Sequence, residues 1–250
     1  MMPVYASHAA DRRWPWASGA VVILLALLAA ASHASTTGIA VTTETNHGLN
    51  RLVIIGASYA GSWGTPPLPG FVVVNRGVGG DQTQGMRARF QSDVIAVKPR
   101  TVLIWGHINN ITQTGFGDAA RLGAAKEAAR EDYIAMLRQA RAAGVDVILA
   151  TEIPLAEPTG LVNSAVAVIN RLRSRPSYAQ RVNREVRELN TFLRQLAARE
   201  KLLLLDFERA LAPDGGARKP EYAQEDRSHV TPAGYQALTA YAVAELRDGR

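Results

Sequence analysis

Apolar residues along this chain come in short unbroken runs, separated by longer stretches in which they recur every three or four positions. The runs are Leu52 to Ile55, Phe71 to Val74, Thr101 to Trp105, Val145 to Ala150 and Leu202 to Leu205. A run with no polar alternation predicts a strand covered on both faces, as in a parallel sheet. Between the runs, Thr83 to Val97 predicts a helix stopped by Pro99. Asp118 to Ala143 predicts a long Ala-rich helix that Gly144 ends. Ser177 to Glu200 places Val182, Val186, Leu189, Leu193 and Leu196 on one face, and its Arg and Glu residues fall mostly on the other, solvated one. Pro232 to Arg247 predicts the last helix, with Thr231 as N-cap and Pro232 at its first position. Strands alternating with helices in this way predict a three-layer α/β/α sandwich around a central, mostly parallel five-stranded sheet.

The start of the chain departs from this pattern. Arg12 and Arg13 precede an uncharged stretch, Trp14 to Ala34, whose centre from Ala20 to Ala31 is wholly apolar. A charged region, an apolar core and a small-residue end describe an export signal, with Ser32-His33-Ala34 suiting cleavage after Ala34. If retained, the segment would serve as a membrane anchor, although its core is short beside the roughly 20 residues of a full span. Residues 1–34 are therefore read as signal peptide or anchor, 35–50 as a polar Thr-rich linker, and 51–250 as one folded domain. The expected location is the periplasm or the exterior, or the inner membrane if the segment stays.

Composition narrows the chemistry. Hydrophobic residues make up 47% of the 250 positions and charged ones 20%, enough for a sizeable core. There is no cysteine, which excludes disulfides, cysteine nucleophiles and thiolate metal sites. The net charge of +6 comes from 28 Lys+Arg against 22 Asp+Glu, spread along the chain without a nucleic-acid motif. Nucleic acid is therefore not an expected partner.

Four short stretches carry reactive groups, and three of them directly follow predicted strands, where sites form in sheets of this kind. Gly56-Ala57-Ser58 follows the first run. Glycine permits a tight turn that exposes the serine hydroxyl, a poor nucleophile until a base takes its proton. Asp226-Arg227-Ser228-His229 offers that base, with a carboxylate one turn earlier to orient the imidazole. The loop Gly77-Val78-Gly79-Gly80 can bring a backbone N–H up to a developing oxyanion, and Asn109 can add its side-chain amide. A phosphate-cradling role for the glycines is disfavoured by their spacing. Beyond the targeting segment the histidines are His47, His107 and His229, and His47 lies in the linker with no partner nearby in sequence.

These residues together resemble the SGNH hydrolases of the GDSL esterase/lipase superfamily, from about Arg51 to the last helix. Gly56-Ala57-Ser58 matches the first block, Asn75-x-Gly77-x-x-Gly80-Asp81 the second, Gly106-His107-Ile108-Asn109-Asn110 the third, and Asp226-x-x-His229 the fifth, followed by Val230-Thr231-Pro232-Ala233-Gly234-Tyr235. Ala57 and Asn110 stand where the family has aspartate, and His107 stands at or beside its usual glycine. The resemblance implies a flavodoxin-like sheet and a serine esterase. Ser58, His229 and Asp226 would be its catalytic groups, and the Ser58 N–H, Gly80 N–H and Asn109 amide its oxyanion hole. It implies neither metal nor organic cofactor. Tyr59, His107 and Asn110 are the candidate walls of a substrate pocket, with packing at the strand end the favoured alternative for His107. Glu152 to Pro176 could form a lid or pocket wall, or a plain connection with a short helix near Ala165 to Leu172. The expected substrates are small acyl or acetyl esters of small molecules or glycans. An acyltransferase on the same site is the alternative, and a non-catalytic envelope-binding module a further one.

Overall fold

The computed structural model describes residues 50–158, 176–213 and 215–248. The expected targeting segment, most of the linker, His47, and the helix near Ala165 to Leu172 lie outside the described residues.

Five strands form one sheet: β1 (Asn50–Gly56), β2 (Phe71–Gly77), β3 (Thr101–Trp105), β4 (Asp146–Ala150) and β5 (Leu203–Leu205). Their order is β2-β1-β3-β4-β5, and all four pairings are parallel. The sheet is thus a doubly wound one. The chain leaves β1 toward one edge for β2 and returns past it to β3, so the topological crevice opens between the C-terminal ends of β1 and β3. Gly56 pairs with Gly77 on one side and Trp105 on the other, so the loops after β1, β2 and β3 emerge side by side.

Alternate strand residues feed two separate cores, as the pleat requires. Leu52, Ile54, Leu103 and Trp105 point to one face, and Val53, Ile55, Val102 and Ile104 to the other. The helices are α1 (Ser58–Trp63), α2 (Thr83–Ala88), α3 (Phe90–Asp93), α4 (Ile108–Thr112), α5 (Ala119–Ala142), α6 (Tyr178–Glu200), α7 (Phe207–Leu211) and α8 (Pro232–Asp248). On α6, Val182, Val186, Leu189, Leu193 and Leu196 are all at most 2% exposed, as their spacing predicts. Each such aliphatic side chain contributes roughly 1.5–3 kcal/mol on burial.

Side chains cap the starts of several helices. Ser177 and Gln180 form a reciprocal capping box, and Asp118 accepts from the N–H groups of Ala120 and Arg121. The Thr231 hydroxyl accepts from the N–H of Gly234 at 3.2 Å. Two expectations need correcting. The helix foreseen over Thr83 to Val97 breaks at Arg89 into α2, α3 and a final 3-10 turn at Ile95–Val97, because the Arg89 backbone leaves helical geometry at ψ 5°. The polar face foreseen on α6 is also less solvated than expected: Asn183, Glu185 and Asn190 are buried there.

Two helices and the end of β3 bring aromatic rings together beneath the first site loop. Trp105 lies 4.8 Å from Phe207, 5.8 Å from Trp63 and 6.0 Å from Tyr59, centroid to centroid. Such contacts add about 0.5–1.5 kcal/mol per pair beyond area burial. This floor sets the depth at which α1 can sit, and Gly56 is what lets it sit so close. A Cβ on Gly56 would lie 2.1 Å from the Trp105 carbonyl oxygen and 2.5 Å from the Ala60 Cβ. Both obstacles belong to rigid elements, so Gly56→Ala is expected to lower stability by about 1–3 kcal/mol, measured by urea unfolding against the parent protein.

Candidate active site

The four reactive stretches are built on different elements. Ser58 is the first residue of α1, directly after β1. At that position its N–H has no acceptor within the helix. The residue is partly exposed. Gly80 has φ +76°, the left-handed region that favours glycine. Its carbonyl accepts from Gln113 Nε2 at 2.7 Å, and among the described residues nothing accepts from its N–H. Asn109 lies in the first turn of α4 and donates from Nδ2 to the Asp81 carbonyl at 2.8 Å. An amide nitrogen carries two hydrogens, so one N–H of Asn109 is left over from that bond.

Asp226 and His229 form the tightest pair. His229 Nδ1 lies 2.5 Å from Asp226 Oδ2, while Asp226 Oδ1 accepts from the N–H groups of Ser228 and His229 at 2.9 Å each. Partial burial alone would raise the Asp226 carboxyl. The His229 ring and the two N–H donors outweigh it and hold the group down at about 2. An ionised Asp226 fixes the imidazole with Nδ1 as donor and Nε2 as acceptor. Both side chains are 48% exposed, so the pair sits at the rim.

The loops of Ser58 and His229 are joined through their neighbours. Tyr59 donates its hydroxyl to the Ser228 carbonyl at 2.6 Å, across 169 residues of sequence, and Tyr235 donates to the Tyr59 carbonyl at 3.2 Å. The structure thus ties the residue after Ser58 to the residue before His229. Among the described residues no hydrogen bond joins the Ser58 hydroxyl to His229 itself.

The three candidate pocket walls are placed otherwise. Tyr59 is 4% exposed, and burial pushes its hydroxyl up to about 12, with the Arg218 charge opposing. It underlies the site. Asn110 is 4% exposed; its Oδ1 accepts from the Thr83 N–H and its Nδ2 donates to the Thr83 hydroxyl, which donates in turn to Asp132. Its side chain pins α2 to α4. His107 is 1% exposed with its ring edge-on to Tyr133, and burial pushes it down to about 3 against a weaker effect from the Val186 backbone. It packs at the strand end as a neutral ring. The open space lies elsewhere: a cleft of about 410 Å³ is lined by Leu155, Ala156, Pro158, Ser177, Tyr178, Ala179, Thr112 and the turn Asp226-Arg227-Ser228.

Several site-building residues escape a reading of the sequence. Arg89 donates to the Asp81 carboxylate at 2.8 Å, the Arg76 carbonyl at 2.7 Å and the Gly56 carbonyl at 3.0 Å, locking the glycine loop to the nucleophile strand. Nothing local marks it, since it lies within an ordinary helical pattern. Tyr133 donates to the Gly106 carbonyl and accepts from the Gly106 N–H, fixing the turn before α4. Glu152 is 1% exposed, and its Oε2 accepts from the N–H groups of His107 at 2.8 Å and Ile108 at 3.2 Å. Burial pushes its carboxyl above the usual range, while those donors, the Ile153 N–H and the Arg218 charge work against the shift. Asn190 bonds both the N–H and the carbonyl of Glu152 and also reaches Glu208. The position of Glu152, just past the C-terminal end of β4, was the one available signal.

The arrangement can orient an imidazole and present a hydroxyl at a helix start, and among the described residues it leaves the Gly80 N–H without an acceptor. A model of the GDSL-like Lipase/Acylhydrolase family matches residues 56–237, and the chain belongs to that family of ester-hydrolysing enzymes. Solved structures share the fold. A GDSL-like lipase from Bacteroides thetaiotaomicron superposes with a TM-score of 0.60 at 19% identity, over 80% of this chain and 89% of that one. Axe2, an acetylxylan esterase from Geobacillus stearothermophilus, superposes with a TM-score of 0.58 at 19% identity, over 80% and 95% of the two chains. The uncharacterized lipoprotein YqeF of Bacillus subtilis is 33% identical over 93 residues, a match spanning 35% of each chain.

Two outcomes follow from this geometry. Glu152→Ala leaves the His107 and Ile108 N–H groups buried without an acceptor, so stability should fall by about 1–3 kcal/mol, read by urea unfolding. The Asp226 carboxyl, depressed from its ordinary 3.8 to about 2, stabilises the fold above the ordinary value and loses that contribution as pH falls through the depressed one. The melting-temperature gap between the parent and Asp226→Asn should therefore be level from pH 7 to 5 and close below about pH 4.

Proposed function

We propose that this protein is an exported serine esterase acting on small acyl or acetyl esters. The observation that carries the reading is the Asp226–His229 pair, tied through Ser228 and Tyr59 to the helix that begins with Ser58. In this reading Ser58 attacks the ester carbonyl while His229 Nε2 takes its proton, and Asp226 stabilises the imidazolium that forms. The Ser58 N–H, the Gly80 N–H and the remaining Asn109 N–H hold the oxyanion. The C–O bond breaks as His229 returns the proton to the departing alcohol. Water then attacks the acyl-enzyme by the same route and releases the acid with Ser58 regenerated.

Small substrates are favoured by the dimensions of the cleft beside the Asp226 turn, about 410 Å³. Its mixed wall of Leu155, Ala156 and Pro158 against Thr112, Ser177 and Arg227 suits a short acyl group on a polar alcohol better than a long lipid chain. The acetylxylan esterase neighbour supports acetylated glycans as the first class to try. Export rests on the charged, then apolar, then small-residue order of the first 34 residues, and the lipoprotein relative supports it. No helix among the described residues is long and apolar enough to cross a membrane.

The test is turnover of p-nitrophenyl esters from acetyl to palmitoyl, and of acetylated xylo-oligosaccharides, with and without a free sugar acceptor. Fastest turnover is expected on the acetyl ester, with the free acid as product; acyl transfer to the sugar would instead show a transferase. Ser58→Ala and His229→Ala should each lower kcat by at least about 10³-fold, and Asp226→Asn by about 10²–10⁴-fold. Full activity in Ser58→Ala would refute the reading.

A further inference from the structure

Arg218 is 1% exposed, yet among the described residues no carboxylate lies within ion-pair distance of it. Taking a guanidinium out of water costs several kcal/mol, so what it bonds to matters. Among the described residues its side-chain hydrogen bonds come from one nitrogen, Nη2, and go to the Ser228 carbonyl at 2.6 Å, the Arg227 carbonyl at 3.1 Å and the Tyr59 hydroxyl at 3.4 Å. Its guanidinium carbon lies 5.6 Å from the centre of the Tyr59 ring. The backbone that carries it is itself anchored, since Arg218 bridges to Ala156 in parallel register and Lys219 donates to the Leu211 carbonyl at 3.1 Å.

The turn it grips needs holding. Asp226, Arg227 and His229 are exposed, so few side-chain contacts fix them. Arg227 has φ +60°, a left-handed conformation that is strained for a non-glycine residue. The Arg227 carbonyl receives a second donor, the Ala156 N–H at 3.1 Å, and the Ser228 carbonyl a second one from Tyr59 at 2.6 Å. Two successive carbonyls immediately before His229 are therefore each held twice from below.

We propose that Arg218 is a positioning residue for the reaction: by holding the Arg227 and Ser228 carbonyls and the Tyr59 hydroxyl together, it sets the distance between the Ser58 hydroxyl and the His229 imidazole. The inference rests on the serine-esterase reading above. Arg218 touches no substrate and transfers no proton. Its contribution belongs to the pre-organisation of the nucleophile and base, where a displacement of about 1 Å can cost on the order of 100-fold in rate.

The test uses the full chain with p-nitrophenyl acetate as substrate and a fluorophosphonate as the probe of Ser58 reactivity, at a temperature where circular dichroism shows each variant folded. Arg218→Met is expected to lower kcat by about 10- to 100-fold, with KM changed by less than about threefold, and to slow labelling of Ser58 by a matching factor. Arg218→Lys, which keeps a donor for one carbonyl, should recover part of that loss. A folded Arg218→Met whose kcat and labelling rate stay within twofold of the parent would overturn the proposal, as would a loss confined to KM. If Arg218→Met fails to fold, Tyr59→Phe decides, because it removes one hydroxyl and leaves the arginine in place: a several-fold lower kcat at unchanged KM supports the inference and an unchanged kcat overturns it. Ser58→Ala separates the two levels of the argument. Its full activity would sink the serine reading, whereas an inactive Ser58→Ala beside a fully active Arg218→Met would sink only the role of Arg218.

Discussion

The carbonyl of Ser228 is the point on which this molecule turns. It receives the Tyr59 hydroxyl and the buried Arg218 guanidinium at 2.6 Å each, and those bonds connect chain segments that the sheet alone leaves apart. β1 lies second from one edge of the sheet and β5 forms the opposite edge. The segment carrying His229 follows β5 and must return across the rim to meet the helix that starts at Ser58. A parallel sheet places loops at one end but does not set the distance between distant ones. Hydrogen bonds to backbone carbonyls do, because they fix the main chain whichever side chains surround it.

The same device recurs around the other half of the site. Arg89 holds the Gly56 and Arg76 carbonyls and the Asp81 carboxylate together, so the glycine loop cannot drift from the strand that precedes Ser58. Glu152 holds the start of α4 from beneath, and Asn190 holds Glu152. Arg194 reaches both Asp206 and Glu208 behind them. Ion pairs and buried charges of this kind add little net stability over apolar packing of equal volume, since desolvation offsets most of their attraction. They do define one arrangement, because a displaced partner leaves a charge or amide buried without a mate. The aromatic floor of Trp105, Trp63 and Phe207 supplies the apolar part of the same support.

Much of the fold could be read from the pattern of apolar residues. All five runs became strands, with ends extended or trimmed by up to three residues, and the apolar face of α6 and the extent of α5 were legible. The break at Arg89 was not legible, because nothing in helix propensity marks it; the bonds that Arg89 makes to three distant groups appear only in the folded chain. The reactive residues were legible as types at strand ends. Their surroundings were less so. Tyr59, His107 and Asn110 lie next to reactive residues in sequence, yet each is at most 4% exposed, since neighbours in a helix or turn face different directions. The cleft draws instead on Leu155, within the segment foreseen as a possible pocket wall, and on Ser177 and Tyr178, which no local motif connects to Asp226.

Hydrophobic periodicity and strand-end chemistry are local properties, carried by spacing and by the reach of the backbone. By themselves they determined the alternation of strands and helices, the parallel sheet, and the pairing of Asp226 with His229 across a single turn. Strand order, the choice of which carbonyls Arg89 and Arg218 would hold, and the burial of Glu152 depend on contacts between residues far apart in the chain. Only the tertiary structure decided those, because a long-range hydrogen bond has no period and leaves no trace until both of its ends are in place.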